Sequence, residues 1–232
     1  MKIALLTLCI GEDYKNAVKY GIQSKKEYCK KHNYDFIIGD KNIYDVTRPI
    51  AWSKIKMIKK YLKNYDYIFC SDADVILMNY DIKIEDLIKM YFKENTNILL
   101  TKDWQNLNTG NMIIKNDSKI FEFLDDIYKQ IQFLNHSWWE QAAFIHLYDN
   151  NKNIRDFCVV LEKSHVLNAY IFEFEKYPIP DSNKFRNDDF LIHFAGISSL
   201  RTLHDIMKIC YEKKLFLFDK INIIGTNWTI LK

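Results

Sequence analysis

Glycine and proline are scarce in this chain, at six and three of 232 residues. That scarcity excludes collagen-like tracts, flexible linkers and low-complexity arms, and leaves compact structure throughout. Long apolar runs are missing too, since none approaches the roughly 18 consecutive residues that cross a bilayer. Cys9, Cys29, Cys70, Cys158 and Cys210 form no C-x-x-C pair. This removes the usual zinc and dithiol signatures and favours reduced, mostly buried thiols. Charge of one sign is nowhere concentrated: 33 Lys and Arg mix with 30 Asp and Glu for a net charge of +3, so no nucleic-acid partner is expected. The apolar opening from Ile3 to Ile10 is too short for a secretory signal, lacks a small-residue cleavage pattern and runs into charged sequence. It reads as a first strand. The expectation is a soluble, cytoplasmic protein without a transmembrane segment. Heavy use of Lys, Asn, Ile and Tyr suggests an AT-rich genome, that of a microbe or of a virus acting in its host's cytoplasm.

What is present is one core's worth of apolar sequence, 48% of the chain. The pattern alternates. A strand at Ile3 to Leu8 precedes an amphipathic stretch from about Tyr14 to His32 and a strand at Asp35 to Ile38, which is a βαβ opening. A helix over Trp52 to Leu62 and a buried strand at Tyr67 to Cys70 follow. A helix near Ile84 to Phe92, a strand at Asn97 to Thr101, a polar loop from Asp103 to Asn108 and a strand at Asn111 to Ile114 come next. Asp117-Ser118 caps a helix carrying Phe121, Leu124, Ile127, Tyr128 and Ile131. Phe172 to Arg186 reads as a surface loop, Leu191 to Phe194 as a late strand, and Leu200 to Cys210 as a last amphipathic helix. Alternation of this kind predicts an α/β fold, a central mostly parallel mixed sheet flanked by helices, in a single domain over 1–232 with a C-terminal helix and tail from about 200.

Ligands of such sheets bind at the carboxyl ends of the strands. There stand Asp72 and Asp74, just past the apolar Tyr67-Ile68-Phe69-Cys70. In extended backbone, residues two apart share a side, so both carboxylates can enter one crevice while Ala73 turns away. Two like charges that close repel unless a hard cation lies between them, and Mn²⁺ or Mg²⁺ would leave coordination positions for a diphosphate. A chain of this length holds about one D-x-D by chance. Apolar runs on both sides, the second being Val75-Ile76-Leu77-Met78, distinguish this one from a solvated loop.

The wording around the pair resembles glycosyltransferase family 34. Asp72-Ala73-Asp74-Val75-Ile76-Leu77-Met78-Asn79 is similar to that family's D-x-D-x-x-I-M-N, and Ala51-Trp52-Ser53-Lys54 to its A-W-x-K. Leu107-Asn108-Thr109-Gly110-Asn111 through Asn116 resembles its L-N-x-G-x-F-x-x-R-N. Trp139-Glu140-Gln141-Ala142-Ala143 resembles its acidic-Gln-x-Ala segment, and His193-Phe194-Ala195-Gly196 its H-F-x-G. The resemblance covers most of residues 1 to about 200. It implies a GT-A fold (the Rossmann-like nucleotide-diphospho-sugar transferase type), Mn²⁺, and transfer of a hexose or pentose from a UDP- or GDP-sugar to a glycan, glycoprotein or other hydroxyl acceptor, with retention at the anomeric carbon.

By the same resemblance Asp72, Asp74 and His193 are the metal ligands, Asp72 also contacting the ribose as part of the cofactor-binding set and Asp74 being also counted among the catalytic residues. Thr7 faces the nucleotide, and Asn108, Thr109 and Gly110 line the donor-sugar pocket or form a plain turn. Gly196 belongs to the cofactor-binding set. Lys54 reaches the diphosphate or is an ordinary exposed helix lysine. Glu140 or Gln141 lies beneath the anomeric carbon. The chain departs from the family pattern after H-F-x-G, where Ile197-Ser198-Ser199 replaces a Cys and a basic residue and leaves Arg201 as a substitute cation. Two other readings stay open. One is a haloacid-dehalogenase-like phosphohydrolase with Asp72 as nucleophile, Asp74 as acid/base and Asp188 and Asp189 as further ligands. The other is a nucleotide-sugar-binding module without turnover.

Overall fold

The computed structural model describes residues 1–171, 173–174, 179–212, 221–224 and 227–230, with 173–174 and everything beyond 220 as backbone only. In chain order the elements are β1 (Ile3–Leu8), α1 (Glu12–Ala17), α2 (Lys19–His32), β2 (Asp35–Gly39), α3 (Ser53–Leu62), β3 (Tyr67–Ser71), β4 (Val75–Leu77), α4 (Ile84–Tyr91), β5 (Ile98–Lys102) and β6 (Leu107–Lys115). They continue with α5 (Ser118–Lys129), α6 (Trp139–Asn150), α7 (Lys152–Phe157), β7 (Cys158–Leu161), β8 (Glu173–Phe174), β9 (Leu191–His193), α8 (Leu200–Tyr211), β10 (Ile221–Ile224) and β11 (Asn227–Ile230).

Six strands form the central sheet in the order β2-β1-β3-β6-β5-β7. Only β6 runs against its neighbours, pairing antiparallel with β3 and β5, while the other pairings are parallel. The run Ile3-Ala4-Leu5-Leu6 is apolar on both faces because both faces are covered. Ala4 and Leu6 enter a core with Trp52, Ile58, Phe123 and Phe144, under α3, α5 and α6. Ile3 and Leu5 point the other way, to Tyr28 of α2, to Val75 and Leu77 of β4, and to Ile84 and Leu87 of α4. A third cluster joins α1 and α8 through Val18, Ile76, Phe194, Leu203 and Met207.

β4 pairs antiparallel with β9 in a sheet of two strands. This small sheet closes the rim of the large one and carries His193 to the end of β3. Among the described residues no helix is long and apolar enough to cross a membrane.

Several expectations need correction. The stretch from Tyr14 to His32 is two helices, interrupted where fully buried Val18 leaves helical geometry at φ −98° and ψ 13°. Asn108-Thr109-Gly110 is neither loop nor turn but the buried start of β6, because pairing with Thr101 and Lys102 of β5 continues past a bulge. Asp72 and Asp74 do not sit in extended backbone: β3 ends at Ser71 and a turn carries the pair into β4. Ala73, between them, is buried against α1 and α8. The helix after Asp117 starts at Ser118 and ends at Lys129. α6, α7 and β7 have no counterpart in the periodicity reading, and the tail contains the antiparallel pair β10 and β11. Within the stretch read as a loop, Glu173–Phe174 forms β8 beside β10, whereas residues 172 and 175–178 lie outside the described residues.

Asp117 caps α5 by accepting a 3.0 Å bond from the Lys119 backbone N–H. Asp117→Ala should cost about 1 kcal/mol in urea unfolding and Asp117→Asn only a few tenths, since Asn caps equally well. Equal stability of Asp117→Ala and parent would show that the cap contributes nothing.

Candidate metal centre

Three chain segments converge at the carboxyl end of β3. The turn of Asp72-Ala73-Asp74 is pinned by its backbone, with Asp72 N–H donating to Gly110 C=O at 2.7 Å and Phe194 N–H donating to Asp74 C=O at 2.9 Å. β9 delivers His193, whose own N–H donates to Ala169 C=O at 2.8 Å. One ligand atom from each of Asp72, Asp74 and His193 lies within 4.8 Å of the others, and among the described residues this is the one such group of three or more.

The donor set fits a hard or borderline divalent ion. His193 Nδ1 lies 2.5 Å from Asn168 Oδ1, an atom that can only accept, so Nδ1 carries a hydrogen. In the neutral ring Nε2 then presents its lone pair, 3.5 Å from Asp74 Oδ1. Two acceptors facing each other need a cation between them. Without a metal ion a proton on Nε2 takes that place, and the hydrogen bond and charge of His193 so protonated, with the charge of Lys25, hold Asp74 below the ordinary carboxylate range although burial opposes this.

Gly110 is required by this geometry. A Cβ there would overlap the His193 ring carbon Cε1 and stand 2.9 Å from Asn108 Oδ1. The glycine is demanded by close approach and not by a left-handed backbone. Gly196, at φ 83°, is the left-handed case, and it turns the chain two residues after Phe194.

Lys54 is not an exposed helix lysine. Its ammonium is buried and meets Asp72 Oδ1 at 2.8 Å, Glu140 Oε1 at 2.9 Å and Thr109 C=O at 3.5 Å. Burial would lower its pKa, but the two carboxylates prevail and keep it charged. Glu140, buried on the first turn of α6, is shifted upward by desolvation despite Lys54. Among the described residues its Oε2 is buried without a hydrogen-bond partner, as are Thr7 Oγ1, Ser71 Oγ and Asn111 Oδ1. Gln141 Oε1 accepts from the Thr109 N–H at 3.0 Å. Thus Lys54, Glu140, Gln141, Asn108, Thr109 and Gly110 join one connected site with the metal cluster. Arg201 is exposed on the first turn of α8, with no ion pair to the cluster. Asp189 is engaged by His165 at 2.9 Å and by the Arg186 N–H at 2.7 Å, outside the cluster where the phosphohydrolase reading needed it.

Sequence reasoning missed a second tier of residues. Asn168 Nδ2 donates to the Tyr170 hydroxyl at 2.9 Å, and that hydroxyl donates to Asp103 Oδ2 at 3.1 Å. Asn108 Nδ2 closes the loop by donating to Asp103 Oδ2 at 2.9 Å. The Tyr170 ring also stacks on His193, with centroids 5.8 Å apart. Tyr14 of α1 lies in the field of both carboxylates, and its hydroxyl stays protonated through burial and their charge. Lys25 of α2 is fully buried, its pKa pushed down to about 7 by desolvation against the pull of Asp74 and Asp72. No spacing rule connects these positions to Asp72 or His193; only tertiary structure does.

The sequence profile of the galactosyl transferase GMA12/MNN10 family, glycosyltransferase family 34, matches residues 2–91 and 87–204. An alpha-1,2-galactosyltransferase of Schizosaccharomyces pombe is 24% identical over 232 aligned positions, covering 84% of this chain and 58% of the relative. A second S. pombe relative described as an alpha-1,2-galactosyltransferase is 22% identical over 78% of the chain and 56% of its own length. The chain thus spans little more than half of these curated relatives. Among solved structures, a glycosyltransferase involved in glycosylation of the major capsid of PBCV-1 superposes with a TM-score of 0.69 at 16% identity, over 90% of this chain and all of that one. The galactosyltransferase LgtC, solved with donor and acceptor sugar analogs, gives 0.55 at 8% identity over 88% and 95%. At such identities these matches report the fold, which is GT-A.

Gly110→Ala should destabilise the protein by about 1–3 kcal/mol through overpacking against His193. Adding His193→Ala should recover part of that loss, so urea unfolding of the two single variants and the double variant should be non-additive. Strict additivity would mean that the glycine does not seat the imidazole.

Proposed function

The chain belongs to the galactosyl transferase GMA12/MNN10 family, and from that membership and the Asp72–Asp74–His193 cluster we propose that it is a metal-dependent glycosyltransferase. The donor is a nucleoside-diphosphate sugar, UDP-linked in the favoured reading. The acceptor is a hydroxyl of a glycan or glycoprotein. Residues 1–232 form a single GT-A domain in this reading. The observation that carries it is the convergence of two carboxylates and an imidazole lone pair on one point at the rim of the sheet.

Asp72, Asp74 and His193 would hold Mn²⁺ or Mg²⁺, and a bound ion there neutralises charge on the departing nucleoside diphosphate. The chain's own groups do the rest. Lys54 holds Asp72 and Glu140 in one orientation, since each accepts from the same ammonium. Glu140, whose buried Oε2 has no hydrogen-bond partner among the described residues, is assigned to positive character at the anomeric carbon. Gln141, anchored by Thr109, supports the same face, and Asn108, Thr109 and Gly110 border the donor sugar. Thr7 Oγ1, equally unpartnered at the end of β1, is assigned to the nucleotide side with Gly196. Retention at the anomeric carbon is carried by the family resemblance.

The test is incubation of purified protein with UDP-galactose, UDP-glucose and UDP-xylose, with Mn²⁺ and with EDTA, following release of UDP. UDP-galactose comes first because the curated relatives are described as galactosyltransferases. Mn²⁺-dependent release from one donor is expected, falling at least about a hundredfold in Asp74→Asn, the loss of roughly 3 kcal/mol of transition-state stabilisation. Glu140→Ala and Gln141→Ala should each lower the rate. Release that survives EDTA, or hydrolysis of a generic aryl phosphate instead, would contradict the proposal.

A further inference from the structure

Among the described residues β4 has a strand partner on one edge only, β9. An unpaired edge leaves backbone groups that need partners when buried. Here helix α2 supplies them. Gly21, Ser24, Lys25 and Tyr28 share one face of that helix by their spacing, and all four are buried. Gly21 brings the helix backbone straight onto the turn, because a Cβ there would overlap Ala73 C=O and lie 2.7 Å from Val75 C=O. Ser24 Oγ donates to Gly21 C=O at 2.9 Å and accepts from Leu77 N–H at 3.1 Å. Lys25 Nζ donates to Val75 C=O at 2.5 Å, its one hydrogen-bond partner among the described residues. The carbonyls before and after Asp74 therefore rest on α2, while Asp74 C=O is held from the opposite side by Phe194 N–H.

We propose that Gly21, Ser24 and Lys25 are positioning residues for the metal ligands: their face of α2 substitutes for the missing neighbour strand of β4 and fixes the direction of the Asp74 carboxylate. The inference rests on the metal reading given above. A buried lysine is a poor choice if only packing were needed, since a methionine fills the same volume without desolvating an amine. It is also a poor neighbour for a divalent cation. Charge alone therefore makes Lys25 weaken metal binding, whereas a clamp on Val75 makes it strengthen metal binding. The two roles predict opposite signs.

The experiment measures Mn²⁺ binding to the full chain by the electron paramagnetic resonance signal of free Mn²⁺, for parent, Lys25→Met and Ser24→Ala, with far-UV circular dichroism and thermal midpoints in parallel. Expected is a rise in Kd of about tenfold in both folded variants, the usual effect of removing a group that orients a ligand. An unchanged Kd with a lowered thermal midpoint would reduce the contact to ordinary packing and overturn the proposal, as would tighter binding by Lys25→Met. If Lys25→Met does not fold, Ser24→Ala decides by the same criterion. A parent that binds no Mn²⁺ refutes the metal reading itself and this inference with it, which separates the two failures.

Discussion

Two carboxylates separated by a single residue repel each other, and much of the molecule is arranged around that repulsion. At a few ångströms the cost is small in water and several kcal/mol where water is excluded. Asp72 is relieved by Lys54, which it shares with Glu140. Asp74 is relieved by the more distant Lys25 and by whatever cation, a proton or a metal ion, sits on His193 Nε2. Each of these partners comes from a different element: Lys54 from α3, His193 from β9 and Lys25 from α2. The turn that carries the pair can thus be held only after those elements have packed, which ties the local geometry of the cluster to the whole fold.

The antiparallel β6 makes this arrangement possible. Running against its neighbours, it places its amino end, Asn108 to Gly110, beside the carboxyl end of β3, where a parallel strand would place its own carboxyl end. Gly110 then admits the His193 ring, Thr109 meets both Lys54 and Gln141, and Asn108 joins the Asp103–Tyr170–Asn168 network that orients the imidazole. A buried polar network of this kind holds one arrangement because every missing partner is costly.

Sequence reasoning reached the parts whose periodicity matches their burial. β1 and β3 read as buried strands because alternate side chains enter two different cores, and α8 reads as amphipathic because Leu203, Ile206 and Met207 pack on one side. It misread the start of β6, where Asn, Thr and Gly occupy an interior strand and imitate a turn. It saw α2 as an amphipathic helix but not which face is buried, because that face is built of Gly21, Ser24, Lys25 and Tyr28 in place of aliphatic residues. For Lys54 the sequence left two readings open, a diphosphate contact and an exposed helix lysine, because an ion pair that compensates burial leaves no trace in local sequence. Asp72, Asp74 and His193 were proposed as a set through motif resemblance, and the structure brings them together. Asn168 and Tyr170 had no motif to announce them.

The central claim is that one divalent cation is shared by Asp72, Asp74 and His193. Anomalous diffraction at the manganese edge, on crystals of the full chain grown with Mn²⁺ and UDP, addresses it most directly. A single strong peak at roughly 2.0–2.3 Å from His193 Nε2 and from an oxygen of each aspartate is the predicted result. A peak elsewhere, or no peak with Lys54 still bridging Asp72 and Glu140, would contradict it.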